Sequence, residues 1–321
     1  MYLSMVVPCF NEGHGLQRLH DALVTALSGH VGDYEVILVD DGSTDATLVE
    51  ARRLAAADPR FRYVSLSRNF GKEPAMLCGL RHARGSRVAL LDADLQHPPE
   101  LLRRMLVVLE SGYDQVVARR SRVGEGRCRT ALTRTYYRLA RWLLDVPLQD
   151  GAGDFRVLSR RAVDAVLSLP EHHRFSKGLF SWIGFDTAYL PYRNVRRRAG
   201  RSRWSVPALL DHAVDGLTGF NTKPLRPAIH LGGALVALAA GGGGRVLWRA
   251  AGGGAPRPSG LLPVTLGLAG LQLCGLGVLG EYLGRSCAEA KRRPHYLVKE
   301  VGPPSRPAPA GTRPPAAELA R

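Results

Sequence analysis

The chain is short of acid. It has 28 Asp and Glu against 44 Lys and Arg in 321 residues, a formal net charge of +16. That surplus calls for an anionic partner: nucleic acid, a phosphorylated small molecule or an anionic membrane. Cysteine is also scarce. The five residues Cys9, Cys78, Cys128, Cys274 and Cys287 are odd in number and form no Cys-x-x-Cys pair, which argues against a disulfide scaffold or a structural zinc site. No basic motif interleaved with aromatics appears, so nucleic acid is not an expected partner. The opening Met-Tyr-Leu-Ser-Met-Val-Val-Pro lacks the charged start of a signal peptide, and the bulk of the chain is expected in the cytosol. With 45% hydrophobic and 22% charged residues, wholesale disorder is excluded and a sizeable core is expected.

Up to about residue 226 the pattern alternates between short apolar runs and amphipathic stretches. Strands are expected at 3–8, 34–40, 62–66, 87–91 and 115–118. Helices are expected at 15–27, from Asp45 to about 57, at 74–83 and after Pro98-Pro99-Glu100, where proline suits a first turn. This order predicts an α/β fold with a mainly parallel sheet and helices on both faces. Ligands of such sheets sit beyond the carboxyl ends of the strands, and the polar motifs of this chain fall at those ends.

Asp92-Ala93-Asp94 and Gln96 follow the fourth strand. Residues two apart on an extended strand face one side, so the two carboxylates can converge on a hard cation such as Mg²⁺ or Mn²⁺. A solvated loop with a helix-capping aspartate gives the same pattern. Asp40-Asp41-Gly42-Ser43-Thr44-Asp45 ends the second strand. Its carboxylates suit hydrogen bonds from a base or ribose, while Ser43 or Asp45 suits a cap and Gly42 a tight turn. After the third strand, Gly71 allows close backbone approach and Lys72 can meet a phosphate as a point charge.

In order along the chain, Val6-Val7-Pro8-Cys9-Phe10-Asn11-Glu12, the Asp40–Asp45 segment, Asn69-Phe70-Gly71-Lys72 and Asp92-Ala93-Asp94-Leu95-Gln96 resemble glycosyltransferase family 2. Further stretches narrow the likeness to the polyprenyl-phosphate glycosyltransferases, the group of bactoprenol glucosyltransferases and dolichol-phosphate mannose synthases. These are the run from Gly153 to Arg160, Arg197-x-x-Gly200-x-Ser202-Arg203-Trp204, Phe220-x-x-x-Pro224-Leu225-Arg226, and Gly280-Glu281-Tyr282-Leu283-Gly284-Arg285 running on to Lys291-Arg292-Arg293-Pro294.

The resemblance covers about residues 1–300 and implies the GT-A fold. It implies Asp92, Asp94 and Gln96 as metal ligands, with Mg²⁺ or Mn²⁺ as cofactor. It places Pro8, Phe10, Glu12, Asp40, Asp41, Lys72, Asp92 and Ala93 around the nucleotide-sugar. Asp94, Asp154 and Arg120 are its candidate catalytic residues, and Arg120, Arg156, Arg197, Ser202 and Arg203 its acceptor-phosphate contacts. Where relatives carry Ser-Lys before an aromatic residue, this chain has Ser202-Arg203, a planar fork in place of a point charge.

Residues 261–280 carry no charge and as a helix would be about 30 Å long, the thickness of a hydrocarbon core. Residues 227–248 are Ala- and Gly-rich and weaker in this respect. The expected organisation is a cytosolic catalytic domain at 1–204, an amphipathic juxtamembrane region at 205–226, transmembrane helices at 227–248 and 261–283, and a basic segment with a Pro/Ala-rich tail at 284–321. That makes a multi-pass protein of the cell inner membrane, in contact with membrane lipids, and relatives with paired helices imply a homotetramer. The implied reaction is inverting hexose transfer from a nucleotide-sugar to undecaprenyl phosphate, with UDP-glucose favoured. The alternatives are GDP-mannose as donor, a non-lipid glycan as acceptor, or a non-catalytic membrane assembly partner.

Overall fold

A computed structural model describes residues 2–29, 32–120, 151–172, 174–192 and 261–303, and a few single positions between 234 and 252. In chain order the elements are β1 (Tyr2–Cys9), α1 (Gly13–Leu27), β2 (Asp33–Asp40), α2 (Thr47–Ala57), β3 (Phe61–Leu66), α3 (Lys72–His82), β4 (Arg87–Leu90), α4 (Leu101–Glu110), β5 (Gln115–Arg120), β6 (Ala152–Ser159), α5 (Arg160–Ser168), α6 (Ser176–Trp182), β7 (Thr187–Tyr192), α7 (Leu261–Ala290) and β8 (Val298–Val301).

The strands form one sheet in the order β7-β5-β6-β4-β1-β2-β3-β8. The run β4-β1-β2-β3 is parallel throughout, and β5 pairs parallel with β7. Strand β6 is antiparallel to both β4 and β5, and β8 is antiparallel to β3. The expected α/β sheet is therefore present, mainly parallel, and every strand and helix expected before residue 120 appears within a few residues of its place.

Alternation along the strands builds two cores. Leu3, Met5 and Val7 of β1 join Val36 and Leu38 of β2 under α1, α2 and α4, with Leu16, Leu19, Leu23, Leu54, Leu102 and Met105 filling that face. Val6, Ile37 and Val39 point the other way, against Ala75 and Cys78 of α3, Ala162 and Val163 of α5 and Phe180 of α6. Each large apolar side chain buried this way contributes about 1.5–3 kcal/mol, which holds the loops at the sheet's carboxyl edge in place.

Strand β8 was not expected. Its residues lie in the basic segment after α7, and they pair with β3 of the sheet. Ser67 N–H donates to Leu297 O at 2.9 Å and Gly302 N–H to Tyr63 O at 2.9 Å. Glu300 accepts from Arg52 Nε at 3.0 Å and also from the Tyr63 hydroxyl.

Helix α7 lies in a second compact unit, residues 142–145 and 206–292. It contains the stretch expected to span a membrane. Among the described residues, no helix is long and apolar enough to cross a membrane, so the expectation of transmembrane helices is not supported there. The juxtamembrane region 205–226, nearly all of the other expected span at 227–248 and the tail beyond 303 lie outside the described residues.

Candidate active site

The site is built where β1, β2 and β4 end on one edge of the sheet. Strand β1 runs out at Cys9, and Asn11 turns the chain with φ of 54°. Asn11 N–H donates to Ser43 Oγ at 3.0 Å, and its Oδ1 accepts from Thr44 N–H at 2.9 Å. Glu12 N–H donates to Thr47 Oγ1 at 2.8 Å and Gly13 N–H to Asp45 Oδ2 at 3.2 Å. Asp45 also accepts from Thr47 N–H at 2.9 Å, but the N-cap of α2 is Ala46 with no side-chain cap bond, so the cap expected of Ser43 or Asp45 is not formed. Their side chains are taken by the loop after β1 instead. Pro8, Phe10 and Glu12 therefore sit half-buried on a loop laced to the next one.

Asp40 and Asp41 turn inward. They are only 2% and 3% exposed. Asp40 accepts from Ser43 N–H at 3.0 Å and from the Ser65 hydroxyl at 2.8 Å. Asp41 accepts from Phe70 N–H at 2.8 Å and Gly71 N–H at 2.9 Å, and so fixes the loop before α3. Burial pushes the Asp41 carboxyl up to about 6, against the pull of those two donors. The loop depends on two glycines. Gly42, at φ 64°, lies against the Arg68 backbone where a Cβ would collide, and Gly71 adopts φ of 102°, both open to glycine at little cost.

That loop delivers Lys72 into a charged cluster. Its Nζ lies 2.6 Å from Asp92 Oδ1 and 2.6 Å from Asp154 Oδ2. Burial opposes the lysine's charge, but Asp154 and Asp92 outweigh it and raise its pKa. Burial would likewise raise Asp92, yet His97 and Lys72 hold it well below the usual carboxylate range. Asp154 is also lowered, against its burial, by Lys72 and Lys177.

On the other side of Asp92, His97 Nε2 is 3.6 Å from Oδ2, and His97 Nδ1 is 2.6 Å from the Tyr192 hydroxyl. Glu73, which follows Lys72, is half-buried and accepts from Ser176 N–H at 3.1 Å, at the start of α6. Residues 71–73 thus tie the ends of β2, β4 and β6 to α6.

Asp94 Oδ1 accepts from Gln96 N–H at 3.1 Å. Between these two residues Leu95 has φ of 55°, a left-handed conformation unusual for a leucine and a strain found at functional loops. Ala93 is buried below. The donors expected for a metal are all oxygen, which fits Mg²⁺ or Mn²⁺. Among the described residues, no group of three or more His, Cys, Asp or Glu could hold a metal ion. The set thus suits a cation that takes one or two carboxylates and completes its shell with phosphate oxygens and water.

The expected acceptor-side residues separate. Arg120 ends β5, exposed, opposite Tyr192 in register. Burial pushes the Tyr192 hydroxyl up to about 12, with Asp92 and Asp94 adding to the rise and Arg120 opposing it. Arg156 is 3% exposed. Its guanidinium lies 3.9 Å from the Phe180 ring centroid, donates to Gly153 O at 2.9 Å, and is lowered by burial to about 10. It sits beneath the cluster as a buried cation rather than at a surface. Arg197, Ser202 and Arg203 lie outside the described residues.

Sequence reasoning missed His97, Tyr192 and Glu73. His97 directly follows Gln96, so adjacency to the metal motif was its only sequence signal. Tyr192 and Glu73 carried none, because each meets its partner across 95 or more residues of chain.

The glycosyl transferase family 2 profile matches residues 4–167. The chain is 42% identical over 315 residues to the putative glycosyltransferase CsbB of Bacillus subtilis (strain 168), covering 96% of this chain and 94% of that protein. It is 36% identical to the prophage bactoprenol glucosyl transferase homolog of Escherichia coli (strain K12), covering 94% of this chain and 99% of that protein. Among solved structures, the mannosyltransferase PcManGT from Pyrobaculum calidifontis, in complex with GDP-Man and Mn²⁺, aligns with a TM-score of 0.45 and 18% identity over 90% of this chain and 75% of that one. A GT-A sheet with carboxylates gathered at its carboxyl edge, a profile match over half of the chain and near-full-length relatives together make this chain a member of glycosyltransferase family 2, and an enzyme of that class.

Proposed function

We propose that the enzyme transfers a hexose, with inversion, from a nucleotide-sugar to a polyprenyl phosphate at the cytoplasmic face of a membrane, with UDP-glucose as the favoured donor. The observation that carries this reading is the 36% identity, over 99% of its length, to an Escherichia coli protein named for bactoprenol glucosyl transfer. The +16 charge suits both an anionic acceptor and an anionic lipid surface.

The chemistry asks for positioning more than for a base. A phosphate monoester has its second pKa near 6, so the acceptor oxygen is already a nucleophile at neutral pH. Asp154, paired with Lys72 at 2.6 Å and held low, is a poor proton acceptor. Its role is to orient Lys72 and the acceptor side. Asp92 and Asp94, with Gln96, would hold a divalent cation, which supplies charge neutralisation for the leaving diphosphate.

Two phosphate groups must approach the anomeric carbon from opposite faces, and their repulsion falls to local cations. Lys72 and Arg120 supply that charge, and the buried Arg156 adds to the field from below. Asp40 and Asp41 serve the donor indirectly, by fixing loops whose backbone faces the nucleotide. Arg197, Ser202 and Arg203 are assigned to the acceptor phosphate.

The test is a membrane-fraction assay with undecaprenyl phosphate, Mn²⁺ or Mg²⁺, and radiolabelled UDP-glucose and GDP-mannose side by side. Label from UDP-glucose is expected in the lipid phase. Label from GDP-mannose alone would reassign the sugar, and none from either would overturn the lipid acceptor. Asp94→Ala is expected to lose transfer by more than about a hundredfold with an unchanged melting temperature. Near-normal turnover by that variant would remove Asp94 from the site.

A further inference from the structure

A second lysine, Lys177, stands on the Asp154 side of the charged cluster. It is the second residue of α6, and that helix is pinned at both ends. Glu73, next to Lys72 in sequence, accepts from Ser176 N–H at 3.1 Å and from the Ser176 hydroxyl. Further along α6, the Phe180 ring covers the Arg156 guanidinium at 3.9 Å, and the Phe180 carbonyl accepts from Gln115 Nε2 at 2.9 Å. The helix is thereby fixed to the start of α3 and to β5 and β6.

Gly178, Leu179 and Phe180 are buried, whereas Lys177 is half-buried. The charges of Lys72 and Lys177 together hold the Asp154 carboxyl down against its burial. The cations around Asp154 differ in what they have left to give. Lys72 is committed to two carboxylates at 2.6 Å each. Arg156 is 3% exposed and lies under Phe180. Among the described residues, no hydrogen bond or ion pair holds the Lys177 ammonium. An ammonium on a flexible four-carbon stem suits a phosphate as a point charge.

Position decides which phosphate. Lys72 separates Asp92, which follows β4, from Asp154, in β6. The leaving diphosphate belongs with Asp92 and its cation. Lys177 lies beyond Lys72, with Asp154. We propose that Lys177 binds the phosphate of the lipid acceptor, and that Glu73 and Ser176 are positioning residues that hold the start of α6, and with it Lys177, beside Asp154. The proposal rests on the transferase reading above for the identity of the acceptor.

Kinetics of the full chain in detergent give one test. Lys177→Met is expected to raise KM for polyprenyl phosphate about tenfold or more, with KM for UDP-glucose and the melting temperature unchanged. Lys177→Arg is expected to recover most of that loss. An unchanged acceptor KM in Lys177→Met, or a rise confined to UDP-glucose, would overturn the proposal. Ser176→Ala is expected to raise the acceptor KM about threefold in the wild-type background and not at all in Lys177→Met. An equal rise in both backgrounds would remove the positioning role.

Calorimetric titration with farnesyl phosphate, and with farnesol as its uncharged counterpart, gives the other. The wild type is expected to bind the phosphate in preference to the alcohol, and Lys177→Met to bind the phosphate about tenfold more weakly. No preference in the wild type, or equal affinity for the phosphate in both proteins, would overturn the proposal. This titration needs no sugar transfer, so a wild type that makes no lipid-linked sugar overturns the transferase reading while phosphate binding still decides the role of Lys177.

Discussion

The sheet carries a network of buried charge at each end, and the two differ in what they leave open. At the amino end, Arg62 Nε lies 3.2 Å from Glu35 Oε2, with the side chains 3% and 0% exposed. Glu35 Oε1 also accepts from the Ser4 hydroxyl at 2.6 Å and from Arg84 N–H at 3.0 Å, and Ser4 Oγ accepts from Gly85 N–H at 2.7 Å. At the carboxyl end, Lys72 is shared between Asp92 and Asp154, and these three side chains are 43%, 28% and 19% exposed. The first network closes on itself, one carboxylate against one guanidinium. The second sets two carboxylates against one ammonium, with Asp94 beside them, and it faces solvent. Carboxylates left part-exposed at an open edge remain available to a cation brought in with a diphosphate, which the closed network is not.

Breaking the closed end is expected to give the largest effect, and on stability. Glu35→Ala leaves the Arg62 charge buried without its partner, which costs about 3–5 kcal/mol. Thermal or urea unfolding reads that loss. Molecules that remain folded are expected to transfer sugar at the normal rate, since Glu35 lies at the opposite edge from Asp92. A stable variant with impaired turnover would erase the distinction between the two ends.

The open end is expected to behave the other way. Lys72→Met keeps the stem and removes the charge shared by Asp92 and Asp154. Turnover is expected to fall about 10–100-fold. Stability is expected to change by less than about 1 kcal/mol, because a lysine this exposed is screened by solvent. Parallel melting curves and single-turnover rates separate the outcomes. A large loss of stability with normal turnover would make Lys72 another structural ion pair.

The same contrast marks what the sequence made legible. Strands β1 to β5 each carry a short apolar stretch, and β1, β2 and β4 stop near carboxylates, so both the fold class and the open edge could be read from local pattern. Strand β6 could not, because Asp154 and Arg156 sit in mid-strand and resemble a surface loop. Arg156 is buried there because Phe180, on a later helix, covers it at 3.9 Å. Strand β8 is four residues, Val-Lys-Glu-Val, with a charged centre, and it exists because Tyr63 and Arg52 offer Glu300 partners. Lys72 and Asp154 were each singled out in the sequence, but nothing local showed that they meet. Likewise Asp40 and Asp41 look like ligand-facing carboxylates until the distant Ser65, Phe70 and Gly71 are seen to consume their oxygens.

Asp41 sharpens the comparison within the open end itself, and its expected effect is the smallest. Lys72 contacts Asp92 and Asp154 and both are held low, whereas the contacts of Asp41 are backbone N–H groups, and burial lifts its carboxyl from 3.8 to about 6. Between those two values the folded protein holds a proton that the unfolded chain has released. Stability from this group is therefore complete below pH 3.8 and is lost as the pH rises through about 6.

Asp41→Asn cannot ionise. The stability difference between wild type and variant is expected to shift across that window in the variant's favour and to level off above it. Its offset is set by the one backbone donor that an amide can no longer satisfy. Urea unfolding at half-unit steps of pH measures the shift. A difference that stays constant from pH 4 to 8 would mean that Phe70 and Gly71 stabilise the ionised carboxylate as fully as a lysine does, and the two kinds of carboxylate at this edge would then be one.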